Sequence, residues 1–253
     1  MKKNNKSFFS IITPLKSDDQ NIVKTIDSLK SQAYKNFEHI IIVSSSSNKI
    51  PYDLHRNKIK NTRIIIGKDK GIYDGINKGL NIAKGDIIGT LNSGDTYRKN
   101  GLKTVNKYFN NNNKLQFVFG TVKKGKIKYG YFPNKIFWSF NFYPAHSSGF
   151  FITKKAQDKI GKYDLNFKCS SDYDLFYKMI VKYKMKGMAT KKQEVIGTFK
   201  LGGYSQKLTM LEHIIEEAQI RIKNKQNIVY VYVLSFLRLI RNFNQLGLIK
   251  LFK

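Results

Sequence analysis

The chain has 253 residues, 41% of them hydrophobic and 13% aromatic, enough for one sizeable α/β domain with a small appendage. Its 46 Lys and Arg against 17 Asp and Glu give a formal charge of +29, which favours anionic partners: nucleotide diphosphates, lipid phosphates, nucleic acid or an acidic bilayer. A lone cysteine, Cys169, excludes an internal disulfide and fits a reducing compartment, and no run reaches the roughly 18 uncharged apolar residues of a membrane-crossing helix.

Lys2 and Lys3 precede the apolar stretch Phe8 to Ile12, but Pro14 and Lys16 interrupt it and no small-residue cleavage site follows. It reads as a first buried strand rather than a leader. Ile22, Ile26 and Leu29 predict a helix from Ile22 to Gln32, capped by Asp18 or Asp19. His39 to Val43 is a continuous apolar run, typical of a strand covered on both faces, and the serines 44–47 form the loop at its end. Arg63 to Ile66 predict a third strand, Gly71 to Ala83 a helix with Ile72, Ile76, Leu80 and Ala83 on one face, and Asp86 to Leu91 a fourth strand.

Alternation of strands and helices predicts a parallel sheet with right-handed crossovers. Ligands of such sheets sit beyond the carboxyl ends of the strands, so the loops after Ile12, Val43, Ile66 and Leu91 should line one crevice. Further on, Leu115–Thr121 and Lys126–Phe132 read as strands joined by a Lys-Gly turn, and the asparagines 110–113 as an exposed loop. An apolar strand follows His146-Ser147-Ser148-Gly149. Ser170 to Tyr183 read as a helix, and Val195 to Phe199 as a last strand before Gly202-Gly203-Tyr204-Ser205. From Thr209 the composition shifts. Leu211, Ile214, Ile215, Ala218 and Ile222 form one helix face. Ile228 to Phe252 form a second segment, with Ser235, Arg238, Arg241, Asn242 and Gln245 on a polar stripe.

Acids are scarce, so those at strand ends carry the argument. Asp95 closes an apolar strand in Asn92-Ser93-Gly94-Asp95, where a carboxylate serves either a hard divalent cation or the turn itself. Asp172 and Asp174 open a helix, where acids complement the helix dipole; Asp172 there also has the chemistry of a general base. Asp69 and Asp74 flank Gly71. Asp69 there binds a base or ribose hydroxyl, or forms a turn.

Three segments stand in order: Ser10-Ile11-Ile12-Thr13-Pro14, then Asp69-Lys70-Gly71-Ile72-Tyr73-Asp74-Gly75-Ile76-Asn77-Lys78-Gly79, then Gly85-Asp86-Ile87-Ile88-Gly89-Thr90-Leu91-Asn92-Ser93-Gly94-Asp95. With His146 and Ser170-Ser171-Asp172-Tyr173-Asp174-Leu175, this pattern resembles the family-2 glycosyltransferases, most of all those that decorate bacterial surface polysaccharides. The resemblance spans about residues 7–206 and implies a GT-A fold at 1–208, a mostly parallel sheet flanked by helices, followed by a helical tail at 209–253.

It implies inverting, single-displacement transfer of one sugar from a nucleotide-diphosphate sugar to a hydroxyl of a lipid-linked or polysaccharide acceptor. The motif positions give Asp95 a role in holding Mn²⁺ or Mg²⁺ and make Asp172 the base. They place Thr13, Pro14, Asp69, Gly71, Asp74, Asn77 and Asn92 around the nucleotide, with His146, Gly203 and Ser205 near diphosphate and acceptor.

The chain departs from the family pattern in three places. Ser44 stands where the family has an acid contacting the base and can itself hydrogen-bond the base as part of the nucleotide site, Asn92 replaces the first acid of the metal motif, and Ser171 replaces the Glu before Asp172. Fewer acids near Asp172 lower the like-charge elevation of its pKa. The Gln-x-x-Arg-Trp signature of processive members is absent from the sequence, whose only tryptophan is Trp138. A nucleic-acid-binding module fits the charge, but no helix-turn-helix or RNA-binding signature accompanies it, and a catalytically silent member of the fold fits the Ser44 and Asn92 replacements. The expected setting is the cytoplasmic face of the plasma membrane, with the tail resting on anionic lipid or packing on the domain or a second copy.

Overall fold

A computed structural model describes residues 6–46, 54, 57, 59–139, 147–202 and 209–241. The first half is a run of crossovers: β1 (Phe9–Lys16), α1 (Ile22–Lys30), β2 (Phe37–Ser44), β3 (Thr62–Gly67), α2 (Ile72–Ile82) and β4 (Ile87–Thr90). β2 and β4 flank β1, and β3 lies outside β2, all parallel. The second half contributes β5 (Thr96–Tyr97), α3 (Gly101–Asn111), β6 (Phe117–Phe119), β7 (Thr121–Lys124), β8 (Lys126–Lys128), β9 (Phe150–Thr153), α4 (Lys154–Ile160), α5 (Ser171–Tyr177), β10 (Gly187–Ala189) and β11 (Val195–Thr198). Two helices follow, α6 (Met210–Lys223) and α7 (Ile228–Arg241).

The main sheet has the order β10-β6-β9-β4-β1-β2-β3, and β5-β11-β7-β8 form a smaller sheet. The main sheet is mostly parallel, as expected, with β9 running antiparallel to both β4 and β6. Leu115–Thr121 is not one strand. Phe117–Phe119 belong to the main sheet and Thr121 onward to the small one, with the break held by Gly120 N–H donating to Gly149 O at 2.7 Å. The second hairpin strand stops at Lys128 rather than Phe132, where a 3₁₀ turn, Pro133–Phe137, takes over. Asn110 and Asn111 are the last residues of α3, not a loop.

Side-chain alternation along the strands sorts the core into layers, because successive residues of a strand point to opposite faces. Ile12, Ile40, Ile42, Ile88, Phe117, Phe119, Phe150 and Ile152 join one cluster with Ile76 and Leu80 of α2 and Phe176 of α5. Their neighbours Ile11, Ile87, Val118 and Phe151 join another with Leu29 of α1 and Leu102 and Val105 of α3. Helix α2 lies close on β1: a β-carbon at Gly79 would stand 2.4 Å from Ile12 Cγ2.

The C-terminal helices turn charged side chains inward and leave much of their apolar surface outward. On α6 the inward residues are Ile214, Glu217, Ile220 and Arg221, while Leu211, Ile215 and Ile222 of the anticipated apolar stripe are exposed. The reason is a buried ion pair, Glu217–Arg221 at 2.7 Å, whose guanidinium lies over the Tyr173 ring and donates to Phe137 O. On α7, Arg238 turns inward to the same Glu217, and Val231 is buried. The apolar side chains Val229, Tyr232, Val233, Phe236, Leu237 and Ile240 face outward. Asn242 and Gln245 of the predicted stripe lie outside the described residues. Among the described residues no helix is long and apolar enough to cross a membrane.

Candidate active site

Beyond the carboxyl ends of β1–β4 opens a cleft of about 520 Å³, lined by Pro14, Ser44, Asp69, Gly71, Asn92 and Asp95 from the strand-end loops. Lys16, Asp19, Lys70, Lys168 and Lys200 also line it, none of them expected there as a ligand-binding residue, so four lysines border a volume suited to a small ligand. Asp19 is not the helix cap expected for α1; it accepts hydrogen bonds from Asn21 N (3.0 Å) and Nδ2 (2.6 Å), forming a turn at the cleft wall.

Each acid is placed by its local backbone. Asp69 Oδ1 accepts from Ser44 Oγ at 2.9 Å and from Gly71 N at 3.1 Å. Gly71 adopts φ 118°, a left-handed conformation that glycine reaches without strain, and this turns the chain from the Asp69 loop into α2. Ser44 therefore orients a carboxylate from the loop after the neighbouring strand β3, so an acid stands next to the position where the sequence lacks one.

Asp95 sits in a turn pinned from α1: Thr25 Oγ1 donates to Asp95 O at 2.9 Å and accepts from Gly94 N at 2.9 Å. Lys200 N donates to Asp95 Oδ1 at 2.8 Å, tying the loop after β11 to the same carboxylate. Burial pushes the Asp95 carboxyl up to about 7, partly offset by the Lys200 amide bond and the charges of Lys124 and Lys200.

Asp95 Oδ2 and Asn92 Oδ1 are both buried without a hydrogen-bond partner. Two unsatisfied oxygens, one of them on a buried carboxyl, are a costly arrangement for a bare turn and a fitting one for a hard cation. No group of three His, Cys, Asp or Glu side chains gathers among the described residues, so such a cation would draw its remaining ligands from water and diphosphate.

Asp172 lies in the first turn of α5, in a recess of about 90 Å³ that shares Ile72, Tyr73, Asn92, Lys168 and Phe199 with the main cleft. Its Oδ1 accepts from Tyr173 N at 2.9 Å and stands 3.3 Å from Tyr73 Oη. Its carboxyl is pushed up to about 6 by burial, held back by the Tyr173 and Tyr73 bonds, with Glu216 adding repulsion. The replacement of the neighbouring Glu by Ser171 therefore does not leave this acid at an ordinary pKa; removal from water supplies the elevation instead. Asp174, two residues on, is structural: it is buried and pairs with Lys178 at 2.6 Å and Lys223 at 3.3 Å.

Three anticipated nucleotide contacts are committed elsewhere. Thr13 is fully buried, donating to Leu91 O at 2.7 Å and touching His39 Nε2 at 2.9 Å. Asp74 accepts from Lys70 N at 3.0 Å and pairs with Lys78 at 3.2 Å, outside the cleft lining. Asn77 is buried and clamps the backbone of Tyr163, donating to its carbonyl at 2.8 Å and accepting from its amide at 2.9 Å. His146, Gly203 and Ser205 lie outside the described residues.

The sequence profile of glycosyl transferase family 2 matches residues 10–176. An uncharacterized glycosyltransferase of Methanocaldococcus jannaschii is 27% identical over 192 residues, covering 69% of this chain and 65% of that protein. The UDP-Glc:alpha-D-GlcNAc-diphosphoundecaprenol beta-1,3-glucosyltransferase WfaP of Escherichia coli is 43% identical over 89 residues, 34% of this chain and 35% of that one. The matched segments thus span just under two thirds and about a third of these relatives. Among solved structures, S. aureus TarS in complex with UDP superposes with a TM-score of 0.67 at 14% identity, over 94% of this chain and 72% of that one. That likeness bears out the expected mixed α/β, GT-A-like architecture. With its profile match running from β1 through the helix that carries Asp172, the chain belongs to glycosyl transferase family 2.

Proposed function

We propose that the protein transfers a single sugar from a nucleotide-diphosphate donor to an acceptor hydroxyl, with inversion, on a lipid-linked or polysaccharide acceptor. The observation that carries this reading is the placement of Asp172. A carboxyl raised to about 6 lines a recess opening into a cleft that holds Asp69, Asp95 and four lysines. A carboxylate with that pKa is largely ionised at neutral pH yet basic enough to accept a proton. In the step itself, the acceptor oxygen bonds to the anomeric carbon as the bond from that carbon to the diphosphate breaks. The hydroxyl proton passes to Asp172, and the electron pair leaves on the nucleoside diphosphate.

The chain supplies the remaining parts from its own residues. Asp69, oriented by Ser44, faces the base or ribose, and Lys16, Lys70, Lys168 and Lys200 balance diphosphate charge. Asp95 and Asn92 would hold Mn²⁺ or Mg²⁺, which when bound neutralises charge on the leaving diphosphate. Incubation with a panel of UDP-, GDP- and dTDP-sugars in Mn²⁺ tests the reading: hydrolysis or transfer of one donor, abolished in Asp172→Asn, supports it. No turnover of any donor, together with no nucleotide binding, would sink it.

The tail supports a peripheral site of action. Helix α7 turns Arg238 toward the domain and its apolar side chains to solvent, the reverse of an ordinary surface helix, and carries no acid. An anionic bilayer fits that face, since Tyr230, Tyr232 and Phe236 tolerate the headgroup boundary and the chain is strongly cationic. Docking there brings the cleft to a lipid-linked hydroxyl at the cytoplasmic surface. The full chain should bind phosphatidylglycerol vesicles at low salt, and truncation after Lys225 should abolish binding. A full-length chain that ignores such vesicles and instead elutes as a dimer would assign the face to a second copy.

A further inference from the structure

Helix α2 belongs to the nucleotide half, yet two of its side chains reach across to the half that carries Asp172. Tyr73 and Asn77 are four residues apart and therefore share a helix face. Asn77 clamps both backbone groups of Tyr163. The Tyr73 ring stacks on the Tyr163 ring, with centroids 5.4 Å apart and planes at 15°. Its hydroxyl donates to Cys169 O at 2.6 Å, three residues before the base, and stands 3.3 Å from Asp172 Oδ1. Burial raises the Tyr73 phenol well above its ordinary pKa, so the group stays protonated and remains a donor. Tyr73 is also one of the few side chains lining both the cleft and the recess.

The same segment is held from its other side by the C-terminal helix: Glu216 accepts from Lys168 N at 2.7 Å and from Cys169 N at 3.2 Å. The loop that leads into α5 and Asp172 is therefore fastened at its backbone from α2 and from α6. Only the α2 fastening also reaches the carboxylate.

We propose that Tyr73 is a positioning residue for the base: its hydroxyl fixes the Cys169–Asp172 segment and shares its proton with the Asp172 carboxylate, coupling the helix that follows Gly71 to the reacting oxygen. This rests on Asp172 being the base. The single phenolic proton has two acceptors. The shorter bond anchors the loop, and the longer one biases the carboxylate toward its ionised form and holds Oδ1 so that Oδ2 is left for the acceptor proton. The other groups acting on Asp172 are Glu216, whose charge raises its pKa, and Tyr163, Cys169 and Lys124, which lie close enough to interact electrostatically with it.

Tyr73→Phe keeps the ring that stacks on Tyr163 and removes only the hydroxyl. In the full chain it should leave UDP affinity and melting temperature near wild type, lower kcat by about tenfold at neutral pH, and move the acid limb of the rate profile upward. The Asp172 titration, followed by carboxyl NMR in the same protein, should move from about 6 to higher pH. In an Asp172→Asn background the same substitution should change turnover no further, because both act through one group. Wild-type kcat with an unmoved Asp172 titration would overturn the proposal, as would an equal additional loss in the Asp172→Asn background. Near-normal transfer by Asp172→Asn alone would instead remove the base assignment, and the NMR titration would still report on the contact. Should Tyr73→Phe unfold the protein, Asn77→Ser, which loosens the Tyr163 clamp but leaves the Tyr73 hydroxyl in place, should lower stability without moving the Asp172 titration.

Discussion

On one side of the cleft, β1, β2 and β3 run for eight, eight and six residues in parallel register, and the polar residues at and just beyond their ends line the cavity. On the other side, β5, β6 and β10 are two or three residues long, and the cleft wall is made by helix ends and loops. The first wall is fixed by ladder hydrogen bonds, which do not depend on which side chains are present. The second is fixed by side chains that cross from other elements: Tyr73 and Asn77 from α2 and Glu216 from α6. A cleft wall built on strand ends is rigid by default, whereas the position of Asp172 depends on individual contacts. Substitutions on the two sides should therefore fail in different ways.

The largest effect should come from Asp172→Asn, which preserves shape but cannot take the acceptor proton. Turnover should fall by about 10²–10⁴ while UDP affinity measured by calorimetry is unchanged. A mutant that loses nucleotide binding to the same extent would merge the two halves into one functional unit and break the contrast.

The pH profile sharpens it. As the proposed base, the Asp172 carboxyl, raised to about 6, must be ionised to act, so kcat should fall about tenfold per pH unit below 6. Its fold-raised pKa has the opposite sign for stability: burial favours the protonated acid, so this contribution is full below about 3.8 and is lost as pH rises through about 6. Denaturant titrations at pH 4 and pH 7 of wild type and Asp172→Asn would isolate that contribution, and a wild-type chain no less stable relative to the mutant at pH 7 would contradict it.

In the first half, rigidity itself can be attacked. Gly79→Ala would gain helix propensity but place a β-carbon 2.4 Å from Ile12 Cγ2, a stiff, fully buried side chain. Overpacking of this kind costs about 1–3 kcal/mol, visible as a lower melting temperature, with Asp172 chemistry retained in the folded fraction. A raised melting temperature would show that α2 slides freely on β1.

Ser44→Ala should have the smallest effect. It removes one hydrogen bond to Asp69, whose second bond from Gly71 N remains. UDP binding should weaken by about three- to tenfold with kcat unaltered. Unchanged binding would mean that Gly71 alone orients the carboxylate.

The same contrast explains how much was legible in the residues. Phe8–Ile12, His39–Val43 and Asp86–Leu91 announced buried strands because mostly apolar runs between turn residues have few other uses, and the cleft at their ends followed from the alternation of strands and helices. Asp69, Asn92 and Asp95 were placed at that cleft by position alone. The short pieces carried too little periodicity. Lys154–Ile160, Thr96–Tyr97 and Gly187–Ala189 gave no readable signal, Gly101–Asn111 went unread although Leu102, Val105 and Phe109 recur at helical spacing, and Leu115–Thr121 read as one strand although its residues serve two sheets. Thr13, Asp74 and Asn77 sit in motif positions, but whether a polar side chain faces ligand or backbone depends on what lies across from it, and that is set by packing. The elevation of Asp172 came from burial, and the inward turn of Glu217, Arg221 and Arg238 from mutual pairing. Local sequence specifies periodicity, turns and strand ends because those interactions span a few residues; desolvation and side-chain partnership join residues as far as 105 positions apart, and only the folded chain brings them together.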